Sequence, residues 1–157
     1  MSLAFSEETR AKHDRLLTRY PNREAAILPT LYLAQREFGH LSDEVVLYVA
    51  DLLGFTPARI YGVATFYTMY NKKPVGKYHL QVCRNLSCSL MGAEHLIEHV
   101  ARKIGVKPGE TTADGRFTLS TVECLGSCGT APVMQVNDDY YENLTEESID
   151  AILDGLG

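Results

Sequence analysis

The chain's four cysteines fall in two doublets, Cys83 and Cys88 in "HLQVCRNLSC" and Cys124 and Cys128 in "VECLGSCGTAP". Each doublet follows a strand-like run. Tyr78, Leu80 and Val82 alternate with His79 and Gln81 before the first, and "FTLSTVEC" leads into the second. Strands that lie side by side in one sheet end at a common rim, so two such ends would gather all four sulfurs in one place. The pattern C-x4-C, 35 residues, C-x3-C therefore constrains the fold more than any other feature of the chain.

The remaining elements are legible from their ends. Ser6 is placed to cap a helix over "EETRAKHDRLLTRY", with Glu7 and Glu8 at its positive end and Pro21 and Asn22 as its stop. In "REAAILPTLYLAQREFG", Ala26 and Leu33 sit near helical spacing, Pro29 is expected to kink or restart the helix, and Gly39 closes it. Ser42 precedes a helix with an apolar stripe of Val45, Val46, Val49, Ala50 and Leu53, ended by Gly54. Thr56 and Pro57 open a fourth helix, "PARIYGVATFYTMY". Its aromatic residues Phe66, Tyr67 and Tyr70 read as a packing stripe.

From "NKKPVGK" onward the period changes from helical to alternating. A helix over "MGAEHLIEHVARKIG" carries Ala93, Leu96, Ile97, Val100, Ala101 and Ile104 on one face, with Met91 at its start. "PVMQVN" and "YYEN" flank Asp138 and Asp139 as a hairpin, and Thr145 caps a last helix through Ile149, Ile152 and Leu153. The fold class is α+β: an N-terminal helical bundle over residues 1–75, then a thioredoxin-like α/β domain over 76–157 with a sheet of three to four strands.

Composition narrows the chemistry. The 157 residues are 45% hydrophobic, enough for a real core, and no apolar run approaches the ~18 residues of a membrane span. The start "MSLAFSEETRAKH" has no apolar signal core, so the cytoplasm is the expected compartment. Reducing conditions there point the cysteines toward metal binding or thiol redox chemistry and away from structural disulfides. Through Val75, nine Lys and Arg face eight Asp and Glu, whereas from Gly76 onward six face twelve, so the cysteines lie in the acidic half. That half lacks the basic stripe that nucleic acid requires.

Four thiolates hold either one zinc ion or a [2Fe-2S] cluster, and charge alone does not separate the two. Zinc knuckles favour tight C-x2-C turns, whereas wider spacings on two loops suit a two-iron core. Gly126, Ser127 and Gly129 allow backbone N–H groups near Cys128 to point at sulfur, as Ser87 and Ser89 do for Cys88 in this reading. Arg84 is either a counter-charge or a solvated surface arginine. Thiol–disulfide catalysis has no C-x-x-C to support it. His95 and His99, four residues apart on one helix, have no third ligand type evident nearby. Pro132 follows the second doublet and opens a strand.

With "REAAILPTLYLAQREFGHLS", "GVATFYTMY", "PVGKYHLQVCRNLSC" and "VECLGSCGTAPVMQVNDDYYENLT" in view, the chain resembles the small [2Fe-2S] subunit of respiratory complex I, the NADH:quinone oxidoreductase (NuoE family). The resemblance covers nearly the whole chain. It implies a thioredoxin-like ferredoxin domain with one [2Fe-2S] cluster on Cys83, Cys88, Cys124 and Cys128. It also implies a partner flavoprotein that binds NADH and FMN and exchanges electrons with that cluster, and a cytoplasmic place in the peripheral arm of a membrane-associated complex. No catalytic residue and no nucleotide site of its own are expected, since the chain has no G-x-G-x-x-G fingerprint. The equivalent subunit of an NAD-dependent hydrogenase or formate dehydrogenase is the alternative within this class, and a zinc-stapled structural adaptor the alternative outside it.

Overall fold

The computed structural model describes residues 3–157. Helices precede the sheet, and the chain divides into two compact units, one through Pro74 and one from Val75 to Gly157.

In the first unit, α1 (Glu7–Leu17) begins where Ser6 Oγ accepts the Thr9 N–H, which satisfies one of the amides that a helix start leaves unpaired. Helix α2 (Ile27–Phe38) starts two residues before Pro29. Pro29 thus occupies the first turn, where its missing N–H costs nothing, so of the two expected outcomes the helix restarts here and is not kinked. Gly39 ends α2 at φ 82°. Helix α3 (Asp43–Leu53) buries all of Val45, Val46, Val49, Ala50 and Leu53, and left-handed Gly54 stops it.

Helix α4 (Pro57–Phe66) is shorter than its sequence pattern suggests, so Tyr67 and Tyr70 lie beyond it. The expected aromatic stripe is therefore divided. Tyr70 is 1% exposed and donates its hydroxyl to the Leu28 carbonyl at 2.8 Å, whereas Phe66 is 77% exposed. Phe5 closes the unit's other end, edge-on to Tyr48 and stacked on Phe38 at centroid distances of 5.1 and 5.7 Å.

The second unit holds β1 (Tyr78–Cys83), α5 (Leu86–Leu90), α6 (Ala93–Ile104), β2 (Phe117–Val122), β3 (Met134–Val136), β4 (Asp139–Tyr141) and α7 (Glu146–Gly155). The strands form one sheet in the order β2-β1-β3-β4. β1 and β2 are parallel, joined through α6, and their register runs from Tyr78 opposite Phe117 to Cys83 opposite Val122. β3 runs antiparallel to β1, and β4 returns from β3 through a tight turn with Asn137 at φ 54°. Asp139 is consequently the first residue of β4 and not part of the turn.

Leu80, Val82, Leu119, Met134 and Val136 pack with Leu96 and Val100 of α6 and Ile149 and Leu153 of α7 into a single core. His79, expected on the wetter face of its strand, is 9% exposed. Its ring shares a hydrogen bond with Ser120 Oγ of the neighbouring strand β2 at 2.8 Å. Gly76 permits the close approach of β1's leading end to the Gly115–Phe117 backbone. A Cβ there would meet the Gly115 carbonyl oxygen at 2.9 Å.

Candidate metal centre

The parallel pairing of β1 and β2 sets the site. Cys83 is the last residue of β1. Its N–H donates to the Val133 carbonyl at 3.0 Å, and the next N–H, that of Arg84, donates to the Val122 carbonyl at 2.9 Å. Chain direction then changes at Asn85, whose Oδ1 accepts the Leu86 N–H and caps α5. This short helix, absent from the sequence reading, carries Cys88 on its inner side. Cys83 and Cys88 are 3% and 2% exposed and pack with Ala93, Ala131 and Val133, with Val122 and Leu125 partly covering them.

Cys124 follows β2 by two residues, and Cys128 begins a single 3₁₀ turn through Thr130. Both are exposed. Their sulfurs lie 3.9 Å apart, and the Gly126 N–H donates to Cys124 Sγ at 3.3 Å. That amide points inward because Gly126 adopts φ 79°, a conformation a side chain would strain. The Ala131–Pro132 peptide that returns the chain toward β3 is cis.

The sulfurs sense one another across the doublets. Burial, above all, pushes the Cys88 thiol up to about 11, and the hydrogen bond with Cys83 and the charges of Cys83 and Cys128 add to the rise. The Cys128 thiol is raised first by its hydrogen bond with Cys124 and then by the Cys124 charge, while a hydrogen bond from Ser87 opposes the shift. One thiol in each doublet, Cys88 and Cys128, thus resists ionising beside its neighbours, and a cationic core relieves such a donor set by replacing thiol protons and repulsion. No three His, Cys, Asp or Glu side chains among the described residues converge tightly enough to hold a single ion. The sulfurs are arranged two by two, a set that fits a two-iron core.

Several flanking residues act differently from their sequence reading. Ser87 approaches Cys128 rather than Cys88, the Ser89 N–H is taken by the Asn85 carbonyl, and Ser89 Oγ donates to Glu94 at 2.8 Å. The Ser127 hydroxyl donates to Glu142, away from sulfur. Arg84 pairs with Glu123 at 3.2 Å, both side chains largely solvated, so it is a surface arginine. Met91 caps α5 instead of opening α6, and it is mostly exposed. The Glu123 carbonyl accepts the Cys83 thiol at 3.3 Å, a link that no local pattern announces because 40 residues separate its partners. His95 and His99 are ion-paired with Glu146 from a different helix, and His99 also with Asp150.

Comparison with known proteins agrees with this geometry. The family model described as thioredoxin-like [2Fe-2S] ferredoxin matches residues 13–157. An NADH-quinone oxidoreductase subunit of Rhizobium meliloti (strain 1021) is 51% identical over 138 residues, covering 88% of this chain and 82% of the relative. NADH-quinone oxidoreductase subunit 2 of Thermus thermophilus is 49% identical over 155 residues, covering 97% of this chain and 82% of the relative. In the fold alone, an NAD+-reducing [NiFe]-hydrogenase structure in the air-oxidized state is similar, with a TM-score of 0.72 at 22% identity over 83% of this chain and 22% of that one. Strand order, paired thiols and sequence likeness converge, and the chain belongs to the thioredoxin-like [2Fe-2S] ferredoxin family.

Proposed function

We propose that this chain is the electron-transfer subunit of an NADH:quinone oxidoreductase, with one [2Fe-2S] cluster held by Cys83, Cys88, Cys124 and Cys128. The observation that carries the reading is the parallel register of β1 and β2, which ends both strands at one rim and directs both cysteine doublets to it. The relatives named as subunits of NADH-quinone oxidoreductase support the host complex.

When bound, the cluster supplies one-electron chemistry. The chain's own residues do the rest. Cys83 and Cys88 anchor the inner side in an apolar pocket, and Ala131 and Val133 keep water from it. The Gly126 N–H offers a positive dipole to Cys124 Sγ, which favours added negative charge there. Cys124 and Cys128 bring the outer side to the surface, where electron exchange with a partner takes place.

That partner is a flavoprotein subunit carrying NADH and FMN. Leu86, Leu90 and Met91, exposed at 71%, 78% and 62% beside Cys88, support a docking face at this rim, because large apolar side chains grouped on a surface mark interaction sites. No described helix is long and apolar enough to cross a membrane, which accords with a place in the complex's peripheral arm.

The test is elemental and optical. Anaerobically purified protein should be reddish-brown, with about two irons and two acid-labile sulfides per chain. A colourless protein with one zinc per chain would overturn the proposal in favour of a structural adaptor.

A further inference from the structure

Away from the cysteines, α6 and α7 face each other through two matched rows of charge. On α6 the row is His95, His99 and Lys103; on α7 it is Glu146, Asp150 and Asp154, each row at four-residue spacing and so along one helical face. His95 Nε2 lies 2.8 Å from Glu146 Oε1, and His99 Nδ1 lies 3.1 Å from the same oxygen. His99 Nε2 lies 2.8 Å from Asp150 Oδ1, and Lys103 Nζ reaches Asp150 and Asp154 at 3.3 and 2.9 Å.

His99 is the unusual member. Its Nε2 hydrogen-bonds Asp150, its Nδ1 lies 3.1 Å from the Glu146 carboxylate, and a carboxylate only accepts hydrogen bonds. A neutral imidazole carries one N–H, so one nitrogen would then set its lone pair against an oxygen lone pair. The contact is complete only when both nitrogens carry protons. From these geometries we infer that His99, with His95, forms a proton-operated clasp that holds α7 to α6 and loosens as the imidazole loses its second proton.

The clasp reaches the metal centre through backbone hydrogen bonds. Directly before α7, the Asn143 N–H donates to the Thr130 carbonyl at 2.7 Å and the Leu144 N–H to the Pro132 carbonyl at 3.1 Å. Glu142 accepts from the hydroxyls of Ser127 and Thr130. The segment that α7 anchors is therefore the strut beneath the Cys128 turn, and release of α7 slackens that turn.

The surrounding charges fix the sign. The Asp150 carboxyl is held below its ordinary range, first by the His99 hydrogen bond and then by Lys103, and the Lys103 ammonium is held above its own, first by Asp154. A depressed carboxyl contributes stability above the unfolded carboxylate range and loses it as pH falls through the folded value. The imidazole sets the opposite limit, since loss of its second proton as pH rises removes the charge that the two carboxylates face. Glu147 adds negative charge near His99, while Glu98 pairs with Arg102, which reaches Glu146 only at 4.0 Å. The clasp is tightest in mildly acidic solution and opens with rising pH.

Amide hydrogen exchange on the full, cluster-loaded chain between pH 6 and 8.5, expressed as protection factors, tests this directly. Protection in α7 and in Glu142–Leu144 should fall by up to about tenfold per pH unit over the imidazole range, the limit for release of one proton. The slope should be clearly reduced in His99→Gln and in Asp150→Asn, while amides of β1 and β2 remain level. Protection in α7 that is level across this range, or a slope undiminished in both variants, would overturn the clasp. Asp150→Asn keeps the test decisive should His99→Gln fold poorly, because it leaves the ring in place and removes only one of its two charged partners.

Discussion

The two cysteine-bearing segments reach the proposed site from opposite environments. The first runs from the central strand β1 into α5 and buries both of its sulfurs; the second leaves the edge strand β2 as an irregular loop and exposes both. The inner segment is held by ladder hydrogen bonds on either side of Cys83, to Val133 and Val122, whereas the outer one depends on a glycine at positive φ and on side chains such as Glu142. Pairing a rigid anchor with an accessible loop lets a carrier hold its cofactor firmly and still present it to a partner.

The largest effect that would break this comparison is loss of the cofactor. Replacing any one of Cys83, Cys88, Cys124 or Cys128 by alanine should abolish the visible absorption and bring iron per chain from about two toward zero, because a two-iron core needs all four ligands. Full iron retention in variants of one doublet alone would show that the doublets do not share a site.

Next comes the core under the inner segment. Leu80→Ala, at a fully buried position of β1, should destabilise the second unit by about 2–5 kcal/mol in denaturant unfolding. Gly126→Ala on the outer loop should cost only about 1–3 kcal/mol through backbone strain. Equal costs would mean that the loop is as rigidly built as the strand.

A finer contrast is chemical. In the cluster-free chain at pH 8, a Cys88 thiol pushed up to about 11 is ionised in about one molecule per thousand. Alkylation of Cys88 should therefore run on the order of a hundredfold slower than that of an ordinary exposed thiol. Mass spectrometry should find Cys124 and Cys128 labelled first, and early labelling of Cys88 would contradict its burial. The smallest effect belongs to Arg84→Ala, which removes a solvated ion pair with Glu123 and should change stability by less than about 1 kcal/mol.

Legibility in the sequence followed the range of the interactions. Ser6, Ser42, Gly39, Gly54 and Thr145 mark helix ends as their residue types predict, because a cap bonds only to amides within a few positions. The five-residue α5 left no such trace. "LSCSL" is too short to show a helical period, and the turn is held by Asn85 and by packing beneath Cys88. Pro29 left a kink and a restart both open for a related reason: its effect depends on where the helix starts, and the turn before Ile27 placed that start within two residues of it. Likewise, the ion pairing of His95 and His99 left no local trace because Glu146 is some fifty residues away along the chain.

Local chemistry alone determined the capped starts of α1, α3 and α7, the glycine stops of α2 and α3, the alternation of β1, the acidic character of the second half and the presence of two thiol doublets in strand-end positions. Tertiary structure decided that β1 and β2 lie parallel with Cys83 level with Val122, and that one doublet is buried while the other faces solvent. The physical reason is reach. Capping and periodicity act over one or two turns of chain, whereas the meeting of residues 83 and 122 requires the whole α6 crossover to fold back and bury its apolar face on the sheet.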